Sequence, residues 1–394
     1  MKSSERHPIA SSSWNQKEIS AINRVTQSGQ ITMGENVLKF EEDFSSYIGS
    51  RYSVMVNSGS SANLLMIASL FYYKDATLRP GDEVIVPSTS WATSYYPLQQ
   101  YGLHIHFVDI DMDTLNYDLN KLSKAVSDKT RVIMAVNLLG NSNDFDAIDK
   151  IIEGRDIIVI EDNCESLGAE FNNKKCGTFG LMGTFSTYFS HHISTVEGGV
   201  IVTESEELYH ILLSLRSHGW TRNLPSKNLV TGEKSNNDFY ESFKFVLPGY
   251  NVRPPEYAGA IGIEQLKKLP DMVVQRRKNS LLWADEVSKI PFLKMQKEIG
   301  KSSWFGFSVV LTDTKNYSRD DIVKKLIRKG FGVRPIVAGN FTKNPVMKYF
   351  TSYEFNDLST SDFVDKNGFF IGNHHYDIGK TITEFGKIIT EELL

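Results

Sequence analysis

Short apolar runs that alternate with helical segments constrain the fold of this chain more than any other feature. The runs lack the polar–apolar alternation that is typical of a strand with one solvated face. Strands that are apolar on both faces and are separated by helices predict a mostly parallel sheet covered by helices on both sides. The predicted strands are residues 52–56, 83–87, 104–109, 131–136, 156–162 and 200–203.

The last third of the chain has a different, α+β pattern. We expect a helix over residues 256–269 that ends at Pro270, because proline disrupts a helix interior. Three further elements are predicted: a helix over 276–290, a strand over 305–311 and a helix over 319–329. The sequence of 394 residues therefore predicts a large domain over residues 1–255 and a smaller C-terminal domain over residues 256–394.

Composition argues against several classes of protein. A net charge of −4 gives no electrostatic support for binding nucleic acid or an anionic membrane. No apolar run approaches the roughly 20 residues of a membrane span, and residues 1–8 lack the apolar core of a signal peptide. The two cysteines, Cys164 and Cys176, are too few for an iron–sulfur cluster held by four thiolates. We therefore expect a cytoplasmic protein that has neither nucleic acid nor a membrane as a partner.

Candidate site residues follow the carboxyl ends of the predicted strands, where open α/β sheets bind their ligands. The small-residue turn at residues 57–63 joins a strand to a helix that is predicted from Leu64, and free amides at a helix N-terminus bind anions. Trp91 follows the second strand, and Asp162 ends the fifth. A plainer interpretation stays open for each feature. The turn could be only a tight connection, Trp91 could be a core residue, and Asp162 could cap the end of its strand.

Two groups of residues could bind a metal ion. Asp109, Asp111 and Asp113 have the spacing of a calcium loop, but its sixth position is Thr114 and its twelfth is not glutamate, so we reject that interpretation. The histidines at positions 104 and 106 lie on one face of a predicted strand. We favour packing over metal binding for both.

The segment from Gly183 to Gly199 carries the most specific signal. Its sequence is G-T-F-S-T-Y-F-S-H-H-I-S-T-V-E-G-G, which resembles the cofactor loop of the nucleotide-sugar aminotransferases that depend on pyridoxal phosphate, the DegT/DnrJ/EryC/StrS family. The family pattern is roughly S-F-x-P-x-K-x-I-x-T-x-E-G-G, and its lysine forms a Schiff base with the cofactor. Ser186 takes the serine position, and residues 197–199 take the E-G-G. The lysine position falls on His191, and Val196 replaces the usual glycine.

Further motifs resemble the family in the same order along most of the chain. They are the S-G-S turn, Trp91, the strand end at Asp162, R-S-H-G over 216–219 and G-Y-N-V-R over 249–253. The resemblance implies an α/β, fold-type-I, aspartate-aminotransferase-like fold with a mostly parallel central sheet. It also implies two sets of contacts. The cofactor would be held by Gly59, Ser60, Trp91, Asp162, Glu165, Ser186 and Asn251, and the substrate and glutamate by Ser190, His218, Arg222, Arg253 and Arg334.

The histidine at position 191 changes the chemistry that the resemblance implies. Imidazole forms no stable Schiff base, so the cofactors, pyridoxal 5′-phosphate and pyridoxamine 5′-phosphate, would be held noncovalently. Histidine normally titrates near pH 6.5, which suits proton transfer at neutral pH. The implied reaction removes the C3 hydroxyl of a 4-keto-6-deoxy nucleotide sugar, with GDP-linked 4-keto-6-deoxy-D-mannose favoured and L-glutamate as amino donor. Asn251 would act across a homodimer with shared active sites.

Several alternatives stay open on the sequence. A conventional aminotransferase would need a lysine from elsewhere, and Lys174 and Lys175 are nearby in the chain. The same dehydration could act on a CDP- or UDP-linked sugar. A non-catalytic cofactor-binding regulator is disfavoured, because a binder needs no group that transfers protons. His192 competes with its neighbour His191, although the spacing to Ser186 and to the E-G-G favours His191.

Overall fold

The large sheet and its helices come from most of the described chain. This computed structural model describes residues 6–393, so the first five residues of the polar N-terminal stretch lie outside the described residues. The α-helices are α1 (Gln16–Ser28), α2 (Glu35–Ile48), α3 (Gly59–Leu70), α4 (Ala92–Gln100), α5 (Leu119–Ala125), α6 (Phe145–Ile152), α7 (Glu206–Leu215), α8 (Asp238–Glu241), α9 (Glu256–Ser288), α10 (Arg319–Arg328), α11 (Ser359–Asn367) and α12 (Gly379–Leu393).

The strands form one large sheet and three smaller ones. They are β1 (Tyr52–Val56), β2 (Glu83–Pro87), β3 (His104–Val108), β4 (Thr130–Val136), β5 (Ile158–Asp162), β6 (Glu170–Phe171), β7 (Lys174–Lys175), β8 (Met182–Ser186), β9 (Gly199–Thr203), β10 (Lys227–Asn228), β11 (Gly232–Glu233), β12 (Leu293–Met295), β13 (Gly306–Leu311), β14 (Val333–Arg334), β15 (Tyr353–Phe355) and β16 (Gly368–Gly372).

Eight strands make up the large sheet, in the order β1-β9-β8-β5-β4-β2-β3-β15. The pairs from β8 to β15 are parallel, and β9 is antiparallel to both of its neighbours. One antiparallel strand in an otherwise parallel sheet confirms the predicted mostly parallel architecture. Because the parallel strands end at the same edge, the segments that follow them meet there.

The predicted strands agree closely with the observed ones, since each is buried on both faces. The strands over 52–56 and 83–87 have the predicted bounds. The helix predicted from Leu64 begins five residues earlier, at Gly59, because Ser58 caps it by accepting a hydrogen bond from the amide of Ser61 at 3.0 Å. The helix N-terminus therefore lies directly after the end of β1.

The predicted end of a helix at Pro270 is wrong. Helix α9 runs without interruption from Glu256 to Ser288, with Pro270 inside it. Its apolar face continues on both sides of the proline, through Leu269 and Met272, and packs beneath α1 and α2. Packing along both halves offsets the one backbone hydrogen bond that proline removes.

The small C-terminal sheet has the antiparallel order β12-β13-β16-β14 and packs against α9, α10 and α12. Its core includes Trp283 of α9, stacked on Phe307 with ring centroids 5.0 Å apart. The short strand β15 returns to the large sheet and pairs with β3. The domain boundary near residue 255 stays a prediction, which is consistent with α9 beginning at Glu256.

Helix composition bears on membrane insertion as well. Over the part of the chain that the structure describes, no helix combines the length and the apolar character that crossing a bilayer requires.

Candidate active site

A cavity of about 340 Å³ opens at the carboxyl edge of the large sheet. Segments that follow β1, β2, β4, β5 and β8 line it, and Phe305, which precedes β13, adds one wall. Its lining includes eight of the residues proposed above for the cofactor and substrate: Gly59, Ser60, Trp91, Asp162, Glu165, Ser186, Ser190 and His191. The sheet topology thus brings together residues that are up to about 130 positions apart in the chain.

Asp162 is held rigidly on the floor of the cavity. Its Oδ2 accepts hydrogen bonds from the Asn63 amide nitrogen and the Ser94 hydroxyl, both at 2.8 Å. Its Oδ1 accepts a hydrogen bond from the backbone amide of Cys164 at 3.0 Å. These three donors come from α3, from α4 and from the end of the strand itself. Together they fix the orientation of the carboxylate.

The N-terminus of α3 forms a second wall. The amides of Gly59 and Ser60 are the first of this helix, where backbone N–H groups lack partners within the helix and the helix dipole favours an anion. A β-carbon on Gly59 would lie 2.6 Å from the β-carbon of Ser186. Glycine therefore lets the helix terminus approach the end of β8, so that amides and the Ser186 hydroxyl border the same space.

Trp91 lies at the mouth of the cavity with 59% of its surface exposed. The plainer interpretation, a core tryptophan, is therefore wrong. A large aromatic side chain at a cavity rim provides a flat apolar face on which a planar ring can stack.

Glu165 adds a second carboxyl group to the cavity wall. It accepts a hydrogen bond from the backbone amide of Leu139 at 2.9 Å. Burial raises its pKa to about 7, and the nearby Asp162 also raises it. Its ionisation therefore falls in the range where a small change in surroundings decides whether it is charged.

The structure separates the two neighbouring histidines. His191 lines the cavity, its ring 5.1 Å from that of Phe305, and its Nδ1 is buried without a hydrogen-bond partner among the described residues. His192 is 2% exposed, and its Nε2 lies 3.1 Å from the backbone oxygen of Ser303. It does not line the cavity, and it packs instead between the loop and the small domain.

Burial changes the expected titration of His191. Burial and, as the smaller cause, the positive charge of Arg276 together lower the pKa of the imidazole to about 4. The sequence-based expectation of titration near pH 6.5 is therefore wrong for this structure. At neutral pH the side chain is the neutral base, ready to accept a proton.

The remaining predicted residues lie outside this cavity within one chain. His218, Arg222 and Arg253 gather around Trp220, with a ring distance of 5.0 Å for the histidine and guanidinium distances of 5.3 and 5.8 Å for the arginines. Asn251 accepts a hydrogen bond from Arg253 at 3.0 Å. Arg334 is exposed and contacts the backbone oxygen of residue 333. The structure thus groups four of the five residues around Trp220, away from His191.

Lysine is absent from the described residues that line the cavity. Lys174 and Lys175, the two lysines nearest to the loop in sequence, lie in the β6–β7 hairpin. Their ammonium groups lie over the rings of Phe179 and Tyr47, at 4.9 and 4.8 Å. Neither is placed to take the role of the missing lysine.

Comparison with known proteins decides the family. The model of the DegT/DnrJ/EryC1/StrS aminotransferase family matches residues 12–375. The chain belongs to this family.

Three relatives within the family are similar over nearly the whole chain. GDP-4-keto-6-deoxy-D-mannose 3-dehydratase of Yersinia pseudotuberculosis is 57% identical over 97% of this chain and 98% of its own. The Escherichia coli enzyme of that name, solved with bound hydrated PLP, matches with a TM-score of 0.97 and 56% identity over 98% of this chain and 100% of its own. A structure of this dehydratase with a trapped PLP–glutamate geminal diamine matches with a TM-score of 0.96, at the same identity and coverage. The fold is that of the fold-type-I aminotransferases.

The cavity suits the cofactor of this aminotransferase family. It combines an anion site at a helix N-terminus, a fixed carboxylate, an exposed aromatic face and a buried imidazole nitrogen without a partner. The anion site suits the phosphate of pyridoxal phosphate, and the carboxylate suits its ring nitrogen. The aromatic face suits the face of the pyridine ring, and the imidazole suits the carbon at which protons are exchanged.

Val196 departs from the family pattern in sequence but keeps a glycine-like backbone. Its φ is +72°, the left-handed region that a β-branched residue rarely adopts. The loop closes around it, because the amide of Phe189 donates a hydrogen bond to its backbone oxygen at 3.0 Å. The substitution therefore introduces local strain.

Residues that the sequence reasoning missed come mainly from tertiary packing. Asn63 is the last residue of the small-residue turn at 57–63 and has no predicted role, although it fixes Asp162. Ser94 and Phe305 carried no motif signal. Their positions depend on helix α4 and the small domain packing against the strand ends, which no local pattern reveals.

Proposed function

We propose that this protein is a 3-dehydratase of GDP-4-keto-6-deoxy-D-mannose that uses pyridoxal and pyridoxamine 5′-phosphate held noncovalently. L-Glutamate is the amino donor, and the products are a GDP-linked 4-keto-3,6-dideoxy sugar, 2-oxoglutarate and ammonia. The observation that carries the proposal is His191, a neutral base at the cavity position where the aminotransferase pattern has lysine. The identity of 57% to a dehydratase of that substrate supports it.

The chain's own residues hold the cofactor in this proposal. The amides of Gly59 and Ser60 and the Ser186 hydroxyl bind the phosphate, Asp162 pairs with the ring nitrogen, and Trp91 covers the ring face. When bound, the cofactor supplies an aldehyde or amine and an electron-withdrawing ring. Glu165, close to its ionisation midpoint at neutral pH, provides a further polar contact in the wall.

His191 moves protons in both halves of the reaction. As the neutral base it would accept the proton from the α-carbon of glutamate and, as the conjugate acid, pass it to the C4′ carbon of the cofactor. In the second half the neutral imidazole would accept a proton from the C4′ carbon of the aminated cofactor and, as imidazolium, donate it to the departing C3 hydroxyl, which leaves as water. Phe305 packs on the imidazole and helps to exclude bulk water from this transfer.

A homodimer with shared active sites completes the proposal. The residues grouped around Trp220 belong to the same chain segment as an aromatic patch formed by Phe239, Tyr240, Phe243 and Phe245, all more than half exposed. Monomeric proteins rarely expose such a patch. Burial against a second copy would cover the patch and place Arg222, Asn251 and Arg253 near the partner's cavity. In that arrangement the arginines bind a glutamate carboxylate or the substrate diphosphate, and Asn251 reaches the cofactor phosphate.

A cytoplasmic location belongs to the proposal as well. It is supported by two cysteines that form no disulfide in the described chain.

A product assay tests the function directly. The protein, with cofactor and L-glutamate, is incubated in turn with GDP-, CDP- and UDP-linked 4-keto-6-deoxy sugars, and sugar mass and ammonia are measured. We expect a product that has lost one oxygen, with one ammonia released per turnover, for the GDP sugar. An amino sugar formed without free ammonia would instead show a conventional aminotransferase, and turnover of another nucleotide alone would overturn the substrate assignment.

Replacing the base tests its role. His191→Asn should lower both half-reactions together by roughly 10²–10⁴-fold, the usual contribution of a positioned acid–base group. Cofactor binding should stay nearly intact, because other residues hold the phosphate and ring. The half-reactions are followed by the absorbance change with glutamate alone and by product formation.

His192→Asn is the matched control, since that ring contacts the backbone of Ser303 rather than the cavity. A much smaller loss in the chemical steps is expected for it. If the losses were reversed between the two variants, the assigned roles of the two histidines would be wrong.

Mixing two inactive variants tests the shared site. His191→Asn damages a chain's own cavity, whereas Arg253→Ala is expected to damage the partner's. Unfolding and refolding an equal mixture should restore about a quarter of the sites, because half of the dimers are mixed and each then carries one intact cavity. Each variant refolded alone is the control. No restored activity in a mixture shown to contain mixed dimers would place Arg253 in its own chain's site.

A further inference from the structure

Four potential metal ligands lie on one face of the large sheet, away from the cavity, and the ligand atoms of three of them, Glu83, His104 and Glu354, lie within 4.8 Å of one another. Glu83 and His104 begin β2 and β3 and lie opposite each other, and Glu354 of β15 lies opposite His106 of β3. Alternate residues of a strand point to the same face, so all four side chains lie on one face of three adjacent strands. The cavity, in contrast, lies at the carboxyl edge of the sheet, where β2 and four other strands end.

The distances between the ligand atoms suit a metal ion better than direct hydrogen bonds. The Nε2 of His104 and the Nδ1 of His106 each lie 3.4 Å from Oε1 of Glu354, and that Nδ1 lies 4.0 Å from Oε2 of Glu83. Good hydrogen bonds of this kind are shorter, about 2.7–3.2 Å. Ligands around tetrahedral zinc, with bonds of about 2.0–2.2 Å, lie about 3.3–3.6 Å from one another.

His106 supplies independent support. It is only 6% exposed, and neither of its ring nitrogens has a hydrogen-bond partner among the described residues. Buried polar atoms are nearly always paired, so an imidazole in this state calls for a ligand. Its Nδ1 faces both carboxylates.

The neighbouring groups orient the ligands as those around metal sites do. The Nδ1 of His104 lies 2.8 Å from the Ser352 hydroxyl, which leaves Nε2 directed at Glu354. The Thr130 hydroxyl donates to Oε1 of Glu83 at 2.6 Å, which leaves Oε2 facing His106. Such outer contacts fix ring orientation and carboxylate position in known metal sites.

We propose that Glu83, His104, His106 and Glu354 bind one divalent transition-metal ion, zinc in the first place. Two imidazoles and two carboxylates suit zinc, and four protein ligands leave no open position for a substrate. The site is therefore structural, and it attaches strand β15, which the chain contributes late, to the edge of the large sheet. The sequence favoured packing for the two histidines, because Glu83 and Glu354 are distant from them in the chain. Only the fold brings these two carboxylates beside the histidines.

Metal content and melting temperature test the proposal on the full-length, cofactor-loaded protein. The protein is stripped with a chelator, dialysed against limiting Zn²⁺ and analysed for metal per chain. We expect one zinc per chain and a rise in the melting temperature on adding Zn²⁺. Glu354→Gln should lower the affinity at least roughly 10–100-fold and abolish the rise. Since Glu354 is half exposed, this variant should fold normally.

His375→Gln is the matched control, a partly exposed histidine of the C-terminal region that should leave zinc binding unchanged. His106→Gln should lose the ion as Glu354→Gln does, and Co²⁺ in the unmodified protein should give the visible spectrum of a tetrahedral site. No zinc bound, or equal binding by Glu354→Gln and the unmodified protein, would overturn the proposal. If zinc binding were lost in His375→Gln or in His191→Asn but kept in Glu354→Gln, the ion would lie outside the proposed site, and the proposal would be overturned as well.

Discussion

The fixed carboxylate of Asp162 is the interaction on which the arrangement of the cavity depends. Its donors come from α3 and α4, the same helices that carry the anion site and Trp91. A shift of either helix would therefore break a buried hydrogen bond to a carboxylate, which is among the stronger polar contacts in proteins. The proposed phosphate site, the proposed partner of the ring nitrogen and the proposed stacking face are thus held in one rigid unit.

That rigidity explains how the family's lysine can be absent. A covalent bond to the protein is one way to keep a cofactor in place, and a preformed set of noncovalent contacts is another. With the lysine gone, the base at position 191 is an imidazole whose pKa burial lowers to about 4. In the proposed reaction it begins as a proton acceptor, and an anionic ligand nearby would raise its pKa toward the range in which it also donates.

Much of this could be predicted from the sequence, because buried parallel strands and strand-end motifs are local patterns. The strand over 52–56 and the strand end at Asp162 agree with the structure, and His191 rather than His192 lines the cavity. The helix stop at Pro270 was wrong, since packing along α9 outweighed a local breaker. Phe305 in the cavity and β15 beside β3 were not foreseeable, because each depends on a distant segment returning to the large domain.

Borohydride reduction of the cofactor-loaded protein tests the central claim, that the cavity holds its cofactor without a covalent bond to lysine. Intact mass and peptide mapping should show no pyridoxyl group on any residue, and the cofactor should be released on denaturation. The His191→Lys variant, treated in the same way, is the positive control. It should carry a pyridoxyl group at position 191, which would show that the reduction detects a Schiff base when one is present. A reduced pyridoxyl group on any lysine of the unmodified protein would contradict the account.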